Sequence, residues 1–212
     1  MSSGTAPLND MAQIVPLTLC FKGSRDYIHG PDFYTEVARL ASSQIGPQIS
    51  RVRITIHRFL RRQADVRWSH LERPPTRPEG GVAEFSALGD GVMSGWFVET
   101  DRPVDCRVPY DEDAIAVRCQ IHEDRIRIDG APSCTTIEAA VAMTKLLHQT
   151  RIPAVGARWI FTRLDLRRIL TPADTARLAL RLVDNLHGRL TRTELESGGE
   201  VIGSIYFSLL GR

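Results

Sequence analysis

Apolar and polar residues alternate along this chain with two distinct periods. Period two, or an unbroken short apolar run, marks strands at 14–21, 52–59, 64–68, 82–88, 92–98, 115–121, 125–128, 159–169, 189–196 and 201–209. A spacing of three and four predicts helices at three places. Phe33, Val37, Leu40 and Ala41 predict one over 32–44, closed by Gly46-Pro47. Ile137, Ala140, Val141, Thr144 and Leu147 predict a second over 136–150, opened by the capping box Thr135-Thr136-Ile137-Glu138. Leu178, Leu182, Val183 and Leu186 predict a third over 172–187, with Thr171 at its cap, Pro172 in its first turn and His187-Gly188 at its end. Hairpin turns are read at Gly89-Asp90-Gly91, His122-Glu123-Asp124 and Ser197-Gly198-Gly199-Glu200, and 64–68 is read as the hairpin partner of 52–57. The prolines of 71–81 make that segment a loop and a candidate flap. Residues 1–12, small and polar, read as a disordered lead-in.

The order of these elements contains an echo. Strand 14–22, loop, helix 32–44 and hairpin 50–68 are matched by strand 158–169, loop, helix 172–187 and hairpin 189–209. Duplication of a strand–helix–hairpin unit follows, with a first half over 13–130 and a second, degenerate half over 131–212 in one compact unit. The helix at 136–150 then reads as a linker on the outside. The expected class is α+β, an antiparallel sheet wrapped around helices.

Charge changes the picture little. With 27 basic and 25 acidic residues the net charge is +2, so no uniform field for nucleic acid is implied. Lys22 and Lys145 are the only lysines in an arginine-rich chain. Arginines at 51, 53, 58, 61, 62 and 67 crowd one hairpin, where a solvated, edge-protecting role fits better than RNA binding, because stacking aromatics are sparse there. The four cysteines have no C-x-x-C spacing, which removes support for zinc or thioredoxin-type chemistry, and Cys20 and Cys119 read as small buried hydrophobes. No apolar run approaches 18 residues and no signal-peptide pattern opens the chain. A cytoplasmic, reduced protein with no membrane partner is the expectation.

Candidate chemistry concentrates between Phe21 and Leu40. A polar loop there holds Arg25, Asp26, Tyr27 and His29, Gly30-Pro31 breaks the chain, and Asp32 can cap the helix that carries Tyr34 and Glu36. The bland alternative leaves Asp32 as a cap only and His29 as a surface residue. Elsewhere His57, His70, His122 and His187 read as strand-end, turn or helix-end residues. Glu138 has a full structural reason in its capping box. The acids of Pro109-Tyr-Asp-Glu-Asp113 suit a solvated loop better than a metal site, because alternate residues of an extended segment point apart. No P-loop, dinucleotide fingerprint or nucleophile elbow is present.

A strand, a helix of about three turns and several antiparallel strands resemble the hotdog fold of acyl-thioester thioesterases and dehydratases. The organising loop is similar to theirs as well. Asp26, His29 and Tyr34 stand in an order like the acid, Gly-His pair and tyrosine of the 4-hydroxybenzoyl-CoA type of thioesterase. His29-Gly30-Pro31 resembles the histidine and Pro-Gly break of the dehydratases. The pattern departs from both: the thioesterase asparagines are absent, the Gly-His order is reversed and the Pro-x-x-Pro-Gly is missing. The resemblance implies an acyl-CoA or acyl-carrier-protein substrate and no cofactor or metal. It implies His29 as acid or base, Asp26 or Asp32 orienting it or activating water, and Tyr27 or Tyr34 hydrogen-bonded to the acyl carbonyl. Amides of 32–35 and Gly30 would face that carbonyl, and Arg25 a phosphate. The second loop, 167–171, has no histidine, so one site per chain is expected. A non-catalytic protein that binds a ligand or partner on the same scaffold is the alternative. The oligomeric state stays open, a homodimer being one form it could take.

Overall fold

The structure, a computed structural model, describes residues 13–130, 132–153 and 156–211. The lead-in at 1–12 lies outside the described residues. In chain order the strands and helices are β1 (Gln13–Pro16), β2 (Phe21–Lys22), α1 (Gly30–Gln44), β3 (Arg51–Ile56), β4 (Ala64–Ser69), β5 (Gly81–Leu88) and β6 (Val92–Glu99). They continue as β7 (Arg107–Val108), α2 (Asp113–Ala116), β8 (Cys119–His122), β9 (Arg125–Ile128), α3 (Thr136–Arg151), β10 (Arg158–Leu166), α4 (Pro172–Thr175), β11 (Leu178–Leu186), β12 (Leu190–Ser197) and β13 (Glu200–Leu210). Eleven strands form one antiparallel sheet in the order β1-β4-β6-β5-β3-β10-β13-β12-β11-β9-β8, and β2 and β7 make a separate parallel ribbon.

Two helices lie against this sheet. On α1 the residues Phe33, Val37, Leu40 and Ala41 are buried while Glu36, Arg39 and Ser42 leave an outer face polar. This is the amphipathic stripe that its spacing predicts. On α3 burial runs unbroken from Thr136 to Thr144 and resumes at Leu147 and His148. A helix apolar all round belongs in a core. The expectation of an outer linker helix is therefore overturned: α3 is the second central helix, packed against α1, β9, β10 and β11.

The predicted helix over 172–187 is also corrected. Helix α4 lasts one turn, and β11 replaces the rest. Leu178 and Leu180 are buried, and with half-buried Leu182 they share a face at period two, so the segment adds a strand to β12 and β9. The strands β3 and β4 are not hairpin partners either. β3 pairs with β5 and β10, and β4 pairs with β1 and β6. The arginine-bearing β3 is thus the seam where the two blocks of strands join, not a protected edge. Arg51 and Arg53 are taken up by Asp165 of β10 across it. The hairpin β8–β9, grouped with the first half by its sequence position, pairs through β9 with β11 at the far end of the sheet.

Each helix thus sits in its own block, β1-β4-β6-β5-β3 around α1 and β10-β13-β12-β11-β9-β8 around α3. The blocks are wired differently: β3 meets the first strand of its following hairpin, β5, whereas β10 meets the last strand, β13. The result is an α+β duplicated hotdog-type architecture. Cys20 and Cys106 are joined as a disulfide, which corrects the expectation of a reduced protein with Cys20 as a small buried hydrophobe, while Cys119 and Cys134 are free. The loop at 71–81 does not span the cleft described below; its Pro75 carbonyl accepts from Trp96 Nε1 on β6 at 2.9 Å. No described helix is long and apolar enough to cross a membrane.

Candidate functional site

The start of α1 has an unusual cap. His29, not Asp32, occupies the N-cap position, and its side chain makes no capping bond to the helix. The first amides of an α-helix have no partner within the helix; at α1 the Asp32 amide turns back to the His29 carbonyl at 2.9 Å and Pro31 has no N–H, which leaves the Gly30 amide without a side-chain cap. Gly30 follows because the Phe161 ring of β10 lies where a side chain would begin; a Cβ there would overlap it. Pro31 suits the first turn, where its missing N–H costs nothing.

A cleft of about 920 Å³ opens beside this helix start. Its floor is apolar, made by Phe33 of α1, Val141 of α3 and the strand residues Trp159, Phe161 and Phe207. Its walls carry the cations Arg25, Arg58, Lys145 and Arg158 and the acids Asp26, Asp111, Glu112 and Asp113, with Arg58 held by Glu99 at 2.6 Å. The mouth holds Tyr27 packed on Phe59 with ring centroids 4.5 Å apart, and the Arg158 guanidinium lies 5.4 Å from the Phe59 centroid. Both blocks of the sheet therefore contribute to one cleft.

His29 is 5% exposed, and its Nδ1 is buried with no hydrogen-bond partner among the described residues. Burial, then the charges of Arg25, Lys22 and Lys145, push its pKa down to about 3. The imidazole is neutral at physiological pH and presents one N–H and one lone pair. Its ring packs edge-on against Tyr110, with centroids 4.8 Å apart, and the Arg25 guanidinium stands 4.9 Å from the Tyr110 centroid. Burial raises the Tyr110 phenol well above its ordinary range, the Glu112 charge adding to it, so it is a neutral O–H.

Around the pair runs a network of charges. Glu112 binds Arg25 through one carboxylate oxygen and Lys145 through the other, the latter at 2.5 Å. Lys22 is paired with Asp32 of α1 and, at 2.8 Å, with Glu138 of α3. Burial disfavours the Lys22 ammonium, but Asp32 and Glu138 outweigh it and raise its pKa. One lysine therefore joins the first turns of both central helices.

Of the residues singled out by the sequence, Arg25, Asp26, Tyr27, His29 and Gly30 line the cleft. Asp26 sits at its rim with a 78% exposed side chain, 3.7 Å from Arg61, and makes no bond to His29. Asp32 lies outside the cleft against Lys22. Tyr34 is buried in the core, where its hydroxyl accepts the Leu170 amide at 2.7 Å and burial pushes its pKa up to about 12. The sequence did not single out Tyr110 or Lys145 for the cleft, and it weighed Glu112 only as a metal ligand. One signal for Lys145 existed: lysine is rare in this chain, and of its two lysines Lys145 lines the cleft while Lys22 lies beside it against Asp32. Among the described residues no cluster of metal-ligating side chains occurs.

The architecture has counterparts among solved structures. The dehydratase domain of PpsC from Mycobacterium tuberculosis, solved in complex with C12:1-CoA, superposes with a TM-score of 0.51 at 12% identity, covering 98% of this chain and 97% of that one. Two further matches are a pyran synthase domain from module nine of the sorangicin pathway (TM-score 0.49, 15% identity, 98% and 96% covered) and a tesB protein of Mycobacterium avium subs paratuberculosis (TM-score 0.48, 13%, 96% and 94%). The PpsC likeness shows the fold, a double hotdog spanning nearly the whole chain. No protein-family model matches the sequence, and no curated protein matches it.

Proposed function

We propose that the cleft binds an acyl thioester of CoA or of a carrier protein, with His29 as the group that transfers a proton to or from the acyl part. The observation that carries this reading is an apolar floor that runs to the start of α1, with Arg158, which makes no ion pair among the described residues, at the mouth. An alkyl chain fits the floor, and a phosphate of a phosphopantetheine arm fits Arg158 at the mouth. A thioester carbonyl set against the Gly30 amide at the start of α1 would have its developing negative charge stabilised there. His29 lies at the same helix end as a neutral imidazole, a weak base while the site is empty, whose basicity the negative charge of a bound reacting ester would raise. The complex of the PpsC domain with C12:1-CoA agrees with a thioester occupant. Such thioesters belong to the cytoplasm, which we take as the compartment.

Trp159 in the floor provides the test, since an occupant would change its fluorescence. Titration with a series of acyl-CoA esters is expected to give saturable quenching that strengthens with chain length. His29→Ala is expected to keep binding within a few-fold while abolishing hydrolysis or dehydration of the bound ester. No quenching by any ester would end the thioester reading. A second reading, a binder without turnover, is favoured by one observation: no carboxylate hydrogen-bonds to His29 among the described residues. Binding of esters with no product in the wild type would establish it.

A further inference from the structure

The segment from Cys106 to Asp113 forms one wall of the cleft and covers His29. It leaves the sheet after β6 and is anchored again where Ile115 of α2 enters the core. Between those points its regular structure is the two-residue β7, paired with β2 through Phe21↔Arg107 and Lys22↔Val108. A ribbon of two residues per strand is marginal by itself. Its other ties are polar and local. Arg107 donates to the Gly23 and Arg25 carbonyls at 2.6 and 2.8 Å, Tyr110 lies on His29, and Glu112 binds Arg25 and Lys145. Val108 is 38% exposed, so the Tyr110 ring on His29 is the main apolar contact that holds the strap down. The single covalent tie is Cys20–Cys106, at the head of both ribbon strands, and both cysteines are partly exposed to solvent.

We infer that the Cys20–Cys106 disulfide is a redox latch on this strap: oxidised, it holds Tyr110 and Glu112 over His29, and reduced, it frees residues 106–113 to swing away and open the site. A cytosolic dithiol of the thioredoxin class, or a thiol such as glutathione, supplies the chemistry. Two electrons and two protons pass to the protein, the S–S bond breaks, Cys20 and Cys106 become thiols, and the reductant leaves as its own disulfide. Disulfides in the cytosol are characteristically transient and regulatory, which suits a bond placed at a wall rather than in the core. The inference concerns access to His29 and holds whatever ligand the cleft takes.

The test compares oxidised and reduced wild type by hydrogen exchange and by acylation with diethyl pyrocarbonate, each mapped by mass spectrometry. Reduction is expected to speed exchange tenfold or more over 21–29 and 106–113 while α3 and the sheet are unchanged. His29 should be acylated several-fold faster, with the exposed His70 and His187, outside the cleft, as internal controls. Reoxidation should restore both rates, and Cys106→Ser should behave as the reduced protein with no further response to reductant. Unchanged exchange and labelling on reduction would overturn the latch. So would faster exchange throughout the sheet, which would make the bond a staple of the fold, and so would two free thiols after treatment with oxidised glutathione.

Discussion

The two central helices begin in opposite ways. At α3 the Thr135 hydroxyl accepts the Glu138 amide at 3.3 Å, and the Glu138 carboxylate accepts the Thr135 amide at 2.9 Å. The chain thus closes this helix end with its own side chains. At α1 the N-cap is a histidine that caps nothing, and a cleft lies beside it. Lys22 reaches both first turns, so a shared charge does not explain the difference. Two copies of one architecture thus differ at the helix start: one is closed by its own side chains, and the other faces a cleft. Helix surroundings follow the same division, α3 buried on nearly every side and α1 keeping a wet face.

Substitutions that strike one helix and spare the other sharpen this contrast. The largest effect is expected for Ala139→Glu on α3. It places an unpaired charge at a position with no exposure and should cost more than about 4 kcal/mol, or prevent folding, whereas Ser42→Glu on the outer face of α1 should change stability by under about 0.5 kcal/mol; chemical denaturation reads both.

His148 of α3 comes next. It is fully buried between Trp159 and Phe207, both ring nitrogens lack partners among the described residues, and burial lowers its pKa to about 4. The unfolded state, with a pKa near 6.5, takes up the proton first. This group's share of stability is therefore intact above pH 6.5 and lost as pH falls from there toward 4. His148→Leu should flatten that slope, recovering up to about 3 kcal/mol at pH 4. A mutant whose pH dependence matches the wild type would sink the assignment.

Thr135→Ala removes the α3 cap and should cost about 1 kcal/mol, read as a lower melting temperature with the cleft's ligand affinity unchanged. Smallest of all is Asp26→Asn. The carboxylate is exposed and its partner Arg61 is 3.7 Å away, so stability should move by under about 0.5 kcal/mol and any turnover by less than twofold. A large loss of activity there would restore Asp26 to the role its sequence position suggested.

The local signals in the chain were sound where one period dominated. The capping box at Thr135, the amphipathic stripe of α1 and the β5–β6 hairpin could all be read directly. The 172–187 segment misled because Leu178 and Leu182 satisfy a helical spacing as well as an alternating one. The Thr171-Pro172 start is real, but it opens a single turn. Identifying α3 as central needed knowledge of what packs on it, since alanines at 139, 140 and 142 signal close approach only once a neighbour is known. In the site, His29 and its neighbours were legible as one loop. Tyr110, Glu112, Lys145 and the aromatic floor were not, because they come from four other segments, 110–112, α3, β10 and β13, that only the folded sheet brings to residue 29.

The seam between β3 and β10 has a consequence for how the molecule could be divided. Because Arg53 pairs with Asp165 and Val52 with Leu166 across it, cutting the chain after β6 would leave β3 as a naked row of amides and carbonyls at the border of an apolar surface. Such a fragment would find its missing neighbour in another copy of itself and come out of solution as aggregate, however sound its own helix and hairpins.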